Sequence, residues 1–429
     1  MAVTADIIVR NIGVLATLGG APGPRTGAAA SELGLVEGAA VASLDGRIVA
    51  VGPERDVLAS VTRAARACEV DAGGGLVTPG LVDPHTHAVY AKTREREFAM
   101  RVAGSSYEEI AAAGGGIRSS VRDLRTASAE RLLEVGRASL DRALAYGATT
   151  VEVKSGYGLD LESELKTLRA VRDLDREHPV DVVPTFLGAH EIPDEWRHDP
   201  DGYVELVIDE MLPRVAEEKL ARFCDVFCES HVFDVEQSRR ILVAAKSLGL
   251  SPKLHADELS STGGAELAAD VGAVSADHLV CASDDGVRAM AEAGVVAVLL
   301  PGTTLSLGKR DYARARFMME EGVPVALATD MNPGSSMTES MQIVMALGSM
   351  TLRMSPAEVL VAATMNAAAA VGLAREVGSV EKGKLCDLVL WEVDDHRAIP
   401  YHYGVNLVRA VVKRGAVYDA GRASAVRRG

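Results

Sequence analysis

The sequence predicts an α/β chain built around a closed (β/α)8 barrel, and three observations carry that prediction. Through the middle of the chain, short apolar runs alternate with longer segments of helical period, the signature of βα units on a parallel sheet. Eight such runs can be counted, the number that closes a barrel. Their ends include four histidines and an aspartate that stand as site candidates, His87, His190, His255, His278 and Asp330. Strand ends of an ordinary core finish in turn formers instead, whereas a barrel carries its catalytic groups at the carboxyl ends of its strands.

Taken in order, the first eighty residues alternate like strands joined by tight turns, with one strand over 6–18 and a hairpin over 41–52 about Asp45-Gly46. Barrel strands are predicted over 81–87, 149–154, 181–190, 225–231, 251–255, 274–278, 295–301 and 323–330. Helical segments separate or follow them at 129–146, 162–174, 203–221, 235–248, 283–293 and 356–371. Ser355-Pro356-Ala357-Glu358 combines an N-cap, a first-turn proline and a capping-box glutamate, and Ser106 with Glu109 repeats the box. The chain ends as it began, strand-rich over 378–392 and 408–418, the second turning at Arg414-Gly415. A doubly wound open sheet is the alternative, but its Gly-rich dinucleotide loop is missing after the first strand.

A chain of 429 residues fits one large domain with a satellite, or two or three ordinary domains. Its net charge of −15 repels nucleic acid and acidic membranes, so neither is expected as a partner, and an anionic substrate needs a local arginine. The start has no basic stretch followed by an apolar one, and no window reaches a membrane span, so a cytoplasmic protein is expected. Five scattered cysteines point to reduced thiols; Cys224 and Cys228 are four apart but lack the second pair of a zinc site.

Asp83-Pro84-His85-Thr86-His87 carries the strongest chemical signal. Side chains two apart on a strand point the same way, so His85 and His87 can bind one ion together. His255 and Asp330 end later strands, and three imidazoles with one carboxylate suit Zn²⁺ or Fe²⁺ rather than Mg²⁺ or Ca²⁺. Such an ion lowers the pKa of water to roughly 7. Asp330 is placed to take that water's proton.

Pro79-Gly80-Leu81-Val82-Asp83-Pro84-His85-Thr86-His87, the later strand-end His and Asp, and the tail 378–389 together resemble the amidohydrolase superfamily. The resemblance implies a distorted barrel over 81–373 and one small β-sandwich composed of 1–80 and 374–429. Cys386 stands where such tails usually carry alanine, a change expected to affect packing only. Longer segments resemble the imidazolonepropionase family within it: Arg94-Glu95-Arg96-Glu97-Phe98, residues 107–117, Glu152 to Leu159, Phe186 to Glu191, and Asp330-Met331-Asn332-Pro333-Gly334-Ser335. That likeness implies hydrolysis of 4-imidazolone-5-propanoate to N-formimidoyl-L-glutamate, with one Zn²⁺ or Fe²⁺/Fe³⁺ per subunit and a homodimeric assembly.

The residues fit such a small anionic imidazolone substrate. A propionate needs a bidentate cation, and Arg94, in the loop beyond His87, is the candidate; the plain alternative is a surface arginine paired with Glu95 or Glu97. Tyr157, between Gly156 and Gly158, can reach inward as a donor or simply pack. His190 ends the third strand and is assigned to the ring or carboxylate, with a structural role as its alternative. Asn332, Gly334 and Ser335 follow Asp330 closely, and the resemblance assigns them to substrate and product contacts. Glu258, three beyond His255, is placed to move a proton or bind the ring, and His278 to polarise the scissile carbonyl, with a role as a further metal ligand as its alternative. Lys154 is expected unmodified and structural, since the resemblance is to a one-metal family, and His231 is read as packing. The rival enzyme is a cyclic-amidine or nucleobase deaminase, which would release ammonia; the rival from another class is a non-catalytic scaffold, whose ligands should have eroded.

Overall fold

The eight predicted runs form one parallel sheet in strict sequence order. The computed structural model describes residues 3–21, 23–105, 109, 114–420 and 426–427. Its barrel strands are Leu81–Asp83, Ala148–Lys154, Asp181–Ala189, Phe223–Cys228, Ser251–Ala256, Ser275–His278, Val296–Leu299 and Val325–Leu327. Most are near-continuous apolar runs buried on both faces, as parallel strands covered by helices must be.

The first and eighth strands are shorter than the apolar runs foretold, and between them the ladder does not close in the regular way. Val82 N donates instead to Ala363 O at 2.9 Å. Contact resumes beyond the strand ends, where Asp330 N donates to His85 O at 3.1 Å and His87 N to Met331 O at 2.8 Å. Thr329 adds two bonds to the Asp83 carboxylate, from its amide at 3.1 Å and its hydroxyl at 2.5 Å. The seam is therefore stitched at the carboxyl mouth by the segments holding His85, His87 and Asp330.

Helices form the outer layer, and their starts follow local chemistry. Leu161–Glu177 begins where Asp160 accepts from Ser163 N, and its Leu165, Leu168, Val171 and Leu174 are buried at helical spacing. Burying each such side chain contributes roughly 1.5–3 kcal/mol. The predicted helix over 203–221 is a helix Pro200–Leu206, a π turn Val207–Met211 and a helix Leu212–Glu217; Pro213, which has no N–H to give, accompanies the wider turn. The predicted helix over 356–371 starts with the expected capping box but splits into Pro356–Ala362 and Met365–Ala370. That break frees the Ala363 carbonyl for Val82. The box of Ser106 with Glu109 rests on Ser106, which lies outside the described residues.

The termini build a second, mixed sheet of nine strands, in which Leu76–Pro79 lies between Leu388–Trp391 and Val3–Ala16. Leu35–Leu44 and Arg47–Pro53 form the hairpin at Asp45-Gly46, with φ of 51° and 76°, the left-handed pair such a turn requires. A separate apolar cluster, including Val9, Ile12, Leu15, Val41, Ile48, Leu388 and Val412, fills this unit. Cys386 is buried within it, a packing residue as expected. No helix among the described residues is long and apolar enough to cross a membrane.

Candidate active site

His85, His87 and Asp330 leave the barrel at its seam, and His255 and His278 end the fifth and sixth strands beside them. His85 Nε2 and His87 Nε2 lie 3.5 and 3.6 Å from Asp330 Oδ1. The His85 and His255 rings are 4.5 Å apart between centroids. Three buried nitrogens, His85 Nε2, His87 Nδ1 and His255 Nε2, have no hydrogen-bond partner. Such orphans are costly in a folded protein and mark atoms that serve a ligand. The groups His85–His87–Asp330 and His85–His255–His278 each bring their ligand atoms close enough for one ion. All these donors are imidazole or carboxylate, a set suited to zinc or iron, so the residues fit the metal that the sequence implies.

The opposite nitrogens of two of these histidines are held from behind. His85 Nδ1 donates to Asp277 Oδ2 at 2.6 Å, and His255 Nδ1 to Asp225 Oδ1 at 3.1 Å. A carboxylate on Nδ1 fixes the tautomer and aims Nε2 outward. Both carboxylates reach Lys154, whose Nζ lies 2.8 Å from Asp225, 3.0 Å from Glu152 and 3.4 Å from Asp277. An amine held among three carboxylates is an ammonium. Asp225 and Asp277 were missed by sequence reasoning. The signal was present, since each sits in a predicted strand one or two residues from a histidine or cysteine, but an aspartate inside an apolar strand names no partner.

Strained backbone concentrates at the same mouth. His278, Leu279, Asp257 and Asp330 adopt φ of 74°, 57°, 49° and 51°, positions that cost non-glycine residues of order 1–3 kcal/mol each. Asp257 is fixed by the amides of Thr262, in the loop that follows, and of Gly264 and Ala265, at the start of the next helix, which donate to its carboxylate. Asp330 is fixed by Thr303, whose hydroxyl donates to Oδ2 at 2.5 Å. Burial raises the Asp330 carboxyl above its ordinary value, opposed by nearby His278.

Above these groups opens a cavity of about 620 Å³, ample for a small ring with a short side chain. Its lining brings together every site residue that the sequence nominated on this face, namely Arg94, Tyr157, His190, Glu258, His278, Asn332, Gly334 and Ser335. Glu258 Oε2 lies 3.6 Å from His278 Nε2. His190 stacks on His87, with centroids 5.1 Å apart and planes 11° from parallel. Its Nδ1 donates to Gly156 O at 3.0 Å, which leaves Nε2 an acceptor. Burial, then the nearby His255, holds its pKa down to about 3, so the ring is neutral.

Tyr157 sits beside both rings, and burial pushes its phenol up from the ordinary value. The loop carrying it is clamped by Glu164, a fully buried carboxylate that accepts from the amides of Gly156, Gly158 and Leu159. Arg94 does pair with a neighbour, donating to Glu97 Oε2 at 2.9 and 2.6 Å, yet it also lines the cavity. A side chain at Gly334 would meet Arg94 Nη1 at 2.4 Å, so only glycine lets the guanidinium lie there. His231, expected to pack, is instead exposed at the cavity rim, because its strand stops at Cys228. Cys224 and Cys228 are free, buried thiols, outside every candidate metal group among the described residues.

Comparison with known proteins gives three results. Residues 76–417 match the family model described as the amidohydrolase family. An imidazolonepropionase of Symbiobacterium thermophilum is 52% identical over 97% of this chain and 98% of its own length. Those of Geobacillus kaustophilus and Alkaliphilus metalliredigens are 52% and 48% identical, covering 96% and 97% of this chain and 97% and 99% of their own. Among solved structures, a zinc-bound adenosine deaminase of Xanthomonas campestris superposes with a TM-score of 0.71 at 19% identity, over 97% of this chain and 93% of that one. At that identity the likeness concerns the fold alone.

Proposed function

The chain belongs to the amidohydrolase family, and from that premise we propose that it hydrolyses the cyclic amide of 4-imidazolone-5-propanoate to N-formimidoyl-L-glutamate in histidine degradation. Relatives named imidazolonepropionase, about half identical over nearly the whole chain, support the reaction. The observation that carries the reading is one juxtaposition: His87 and His255, each with a buried ring nitrogen that has no hydrogen-bond partner, line with Asp330 the same cavity that holds the Arg94 guanidinium.

His85, His87, His255 and Asp330 would hold one Zn²⁺ or Fe²⁺/Fe³⁺ per subunit. Such an ion, when bound, supplies Lewis acidity, making hydroxide available at neutral pH and polarising a carbonyl. Asp330 aligns the attacking water and takes its proton. His278 donates to the oxyanion that develops at the ring carbonyl. Glu258, beside it, relays to the departing ring nitrogen the proton that Asp330 took from the water, which returns both carboxylates to their starting state. Arg94, Tyr157 and His190 hold the propionate and orient the ring, with Asn332, Gly334 and Ser335 completing the wall, a positioning effect worth several kcal/mol. We assign the barrel to 81–373 and the terminal unit to 1–80 and 374–429, in a homodimer that works in the cytoplasm.

Freshly generated imidazolonepropionate, followed spectroscopically with protein of measured metal content, tests the reading. Ring opening without ammonia supports it. Release of ammonia would transfer the site to a deaminase, and protein without transition metal that leaves the ring intact would mark a scaffold.

A further inference from the structure

We infer that Lys154 is a positioning residue that locks the ligand histidines of the first and fifth barrel strands into one unit. The inference rests on the metal site proposed above and extends it to residues that touch neither ion nor substrate. Lys154 ends the second strand and is wholly buried. Its Nζ meets Asp225 Oδ2 at 2.8 Å on the fourth strand and Asp277 Oδ2 at 3.4 Å on the sixth. Those same carboxylates hold Nδ1 of His255 and of His85. One ammonium thus sits behind two carboxylates, and each carboxylate sits behind one ligand.

The remaining atoms of the network leave little slack. Asp277 Oδ1 accepts from Ser275 at 2.7 Å, and Asp225 Oδ1 also accepts from the His255 amide at 3.0 Å. Lys253, a buried ammonium on the fifth strand, is engaged with Glu152 at 3.0 Å and with the carbonyls of Pro84 and Ala370 at 3.3 Å. It cannot take over the two aspartates. Without Lys154 the aspartates lose the cation between them and repel each other, and each histidine then follows its carboxylate. With Lys154 present, two ligands from strands that are not neighbours keep a fixed separation before any ion arrives.

A mere charge-balancing lysine makes the opposite statement about metal affinity. Removing a buried positive charge near a cation site should strengthen binding by simple Coulomb attraction. Losing ligand orientation should weaken it, by about 10–100-fold for outer partners of this kind. Arginine in place of lysine separates the two, since it keeps the charge but cannot place it at the same point.

The test is competition titration of metal-free full-length protein with Zn²⁺, together with the visible spectrum of the Co²⁺-loaded form. Lys154→Arg and Lys154→Met should each weaken Zn²⁺ binding by about 10-fold or more. Both should also shift the Co²⁺ bands, while circular dichroism shows the barrel retained. Unchanged affinity in Lys154→Arg with tighter binding in Lys154→Met would overturn the inference and leave charge balance in its place. Where Lys154→Arg fails to fold, the sign of the Lys154→Met change and its Co²⁺ bands decide; Lys154→Gln serves if that fails too. Wild-type protein that binds no ion would count against the metal site itself, not against Lys154.

Discussion

Thr303 donates a 2.5 Å hydrogen bond to Oδ2 of Asp330, and this leaves Oδ1 as the oxygen that faces Nε2 of His85 and His87. The carboxylate is thereby held in one orientation, with one oxygen for the metal side and the other occupied. Such an arrangement favours a single-oxygen contact and a fixed direction for proton transfer.

Asp330→Ala should keep the fold yet lose turnover by about 10³-fold or more, the loss associated with removing a proton acceptor and a ligand together. Thr303→Val keeps shape and removes only the hydroxyl. A hydrogen bond to a charged group is worth about 1.5–3 kcal/mol, so kcat should fall by roughly 10–100-fold with KM little changed. Steady-state kinetics on metal-loaded protein check both. Near-normal turnover in Asp330→Ala would remove it from the chemistry, and a rise in KM alone in Thr303→Val would show that the bond serves binding.

Arg94 is both the expected carboxylate receptor and the partner of Glu97, which also accepts from Gly116 N at 3.1 Å and Ser119 Oγ at 3.1 Å. Removing the arginine alone therefore exposes an anion to the substrate's anion. Arg94→Ala should raise KM for the propionate substrate by about 10²-fold while sparing a ring that lacks the carboxylate. Adding Glu97→Gln should recover part of that loss, because repulsion is removed with the cation. Equal losses for both rings, or no recovery in the double variant, would refute the pairing as the source of specificity. Gly334→Ala, which drives a methyl into Nη1, should mimic a mild Arg94 defect.

Much of this site was legible in the sequence because a parallel strand displays its last side chains at the barrel mouth. His85, His87, His255 and Asp330 could be named from apolar runs and their endings alone. Asp225, Asp277 and Thr303 could not, for their meaning lies in who sits behind whom across strands, and linear order is silent on that. The same holds for Glu164, whose role is three loop amides brought round by one turn of chain. His231 misled because an apolar run was read three residues past Cys228, where the strand ends. The seam was also invisible: nothing local says that Ala363 fills the place of a missing neighbour for Val82.

His190 links the site to pH. Burial and His255 hold it at about 3 in the folded protein against an ordinary 6.5, so between these values the unfolded chain carries a proton that the folded one refuses. Stability rises with pH wherever the unfolded state binds more protons. The contribution is therefore complete above about pH 6.5 and is lost as pH falls towards 3. Buried His85 and His87 are lowered for the same first reason and act with the same sign. His190→Gln should flatten the fall of melting temperature between pH 6.5 and 4 relative to wild type. An unchanged slope would mean that His190 takes up its proton in the fold without penalty.

His278 separates strain from packing. Its φ of 74° is costly for a side chain of this size, and its ring is nearly buried beside Glu258. Asparagine tolerates the left-handed region better but is too short to reach where the imidazole reaches. His278→Asn should leave the denaturant midpoint unchanged or raise stability by up to about 1 kcal/mol. Turnover should fall by about 10²-fold, the cost of losing one donor to a developing oxyanion. Denaturation of metal-free protein and kcat of loaded protein are read side by side. Loss of stability in step with loss of activity would make His278 a packing residue, and the strain at the end of the sixth strand would then have no catalytic return.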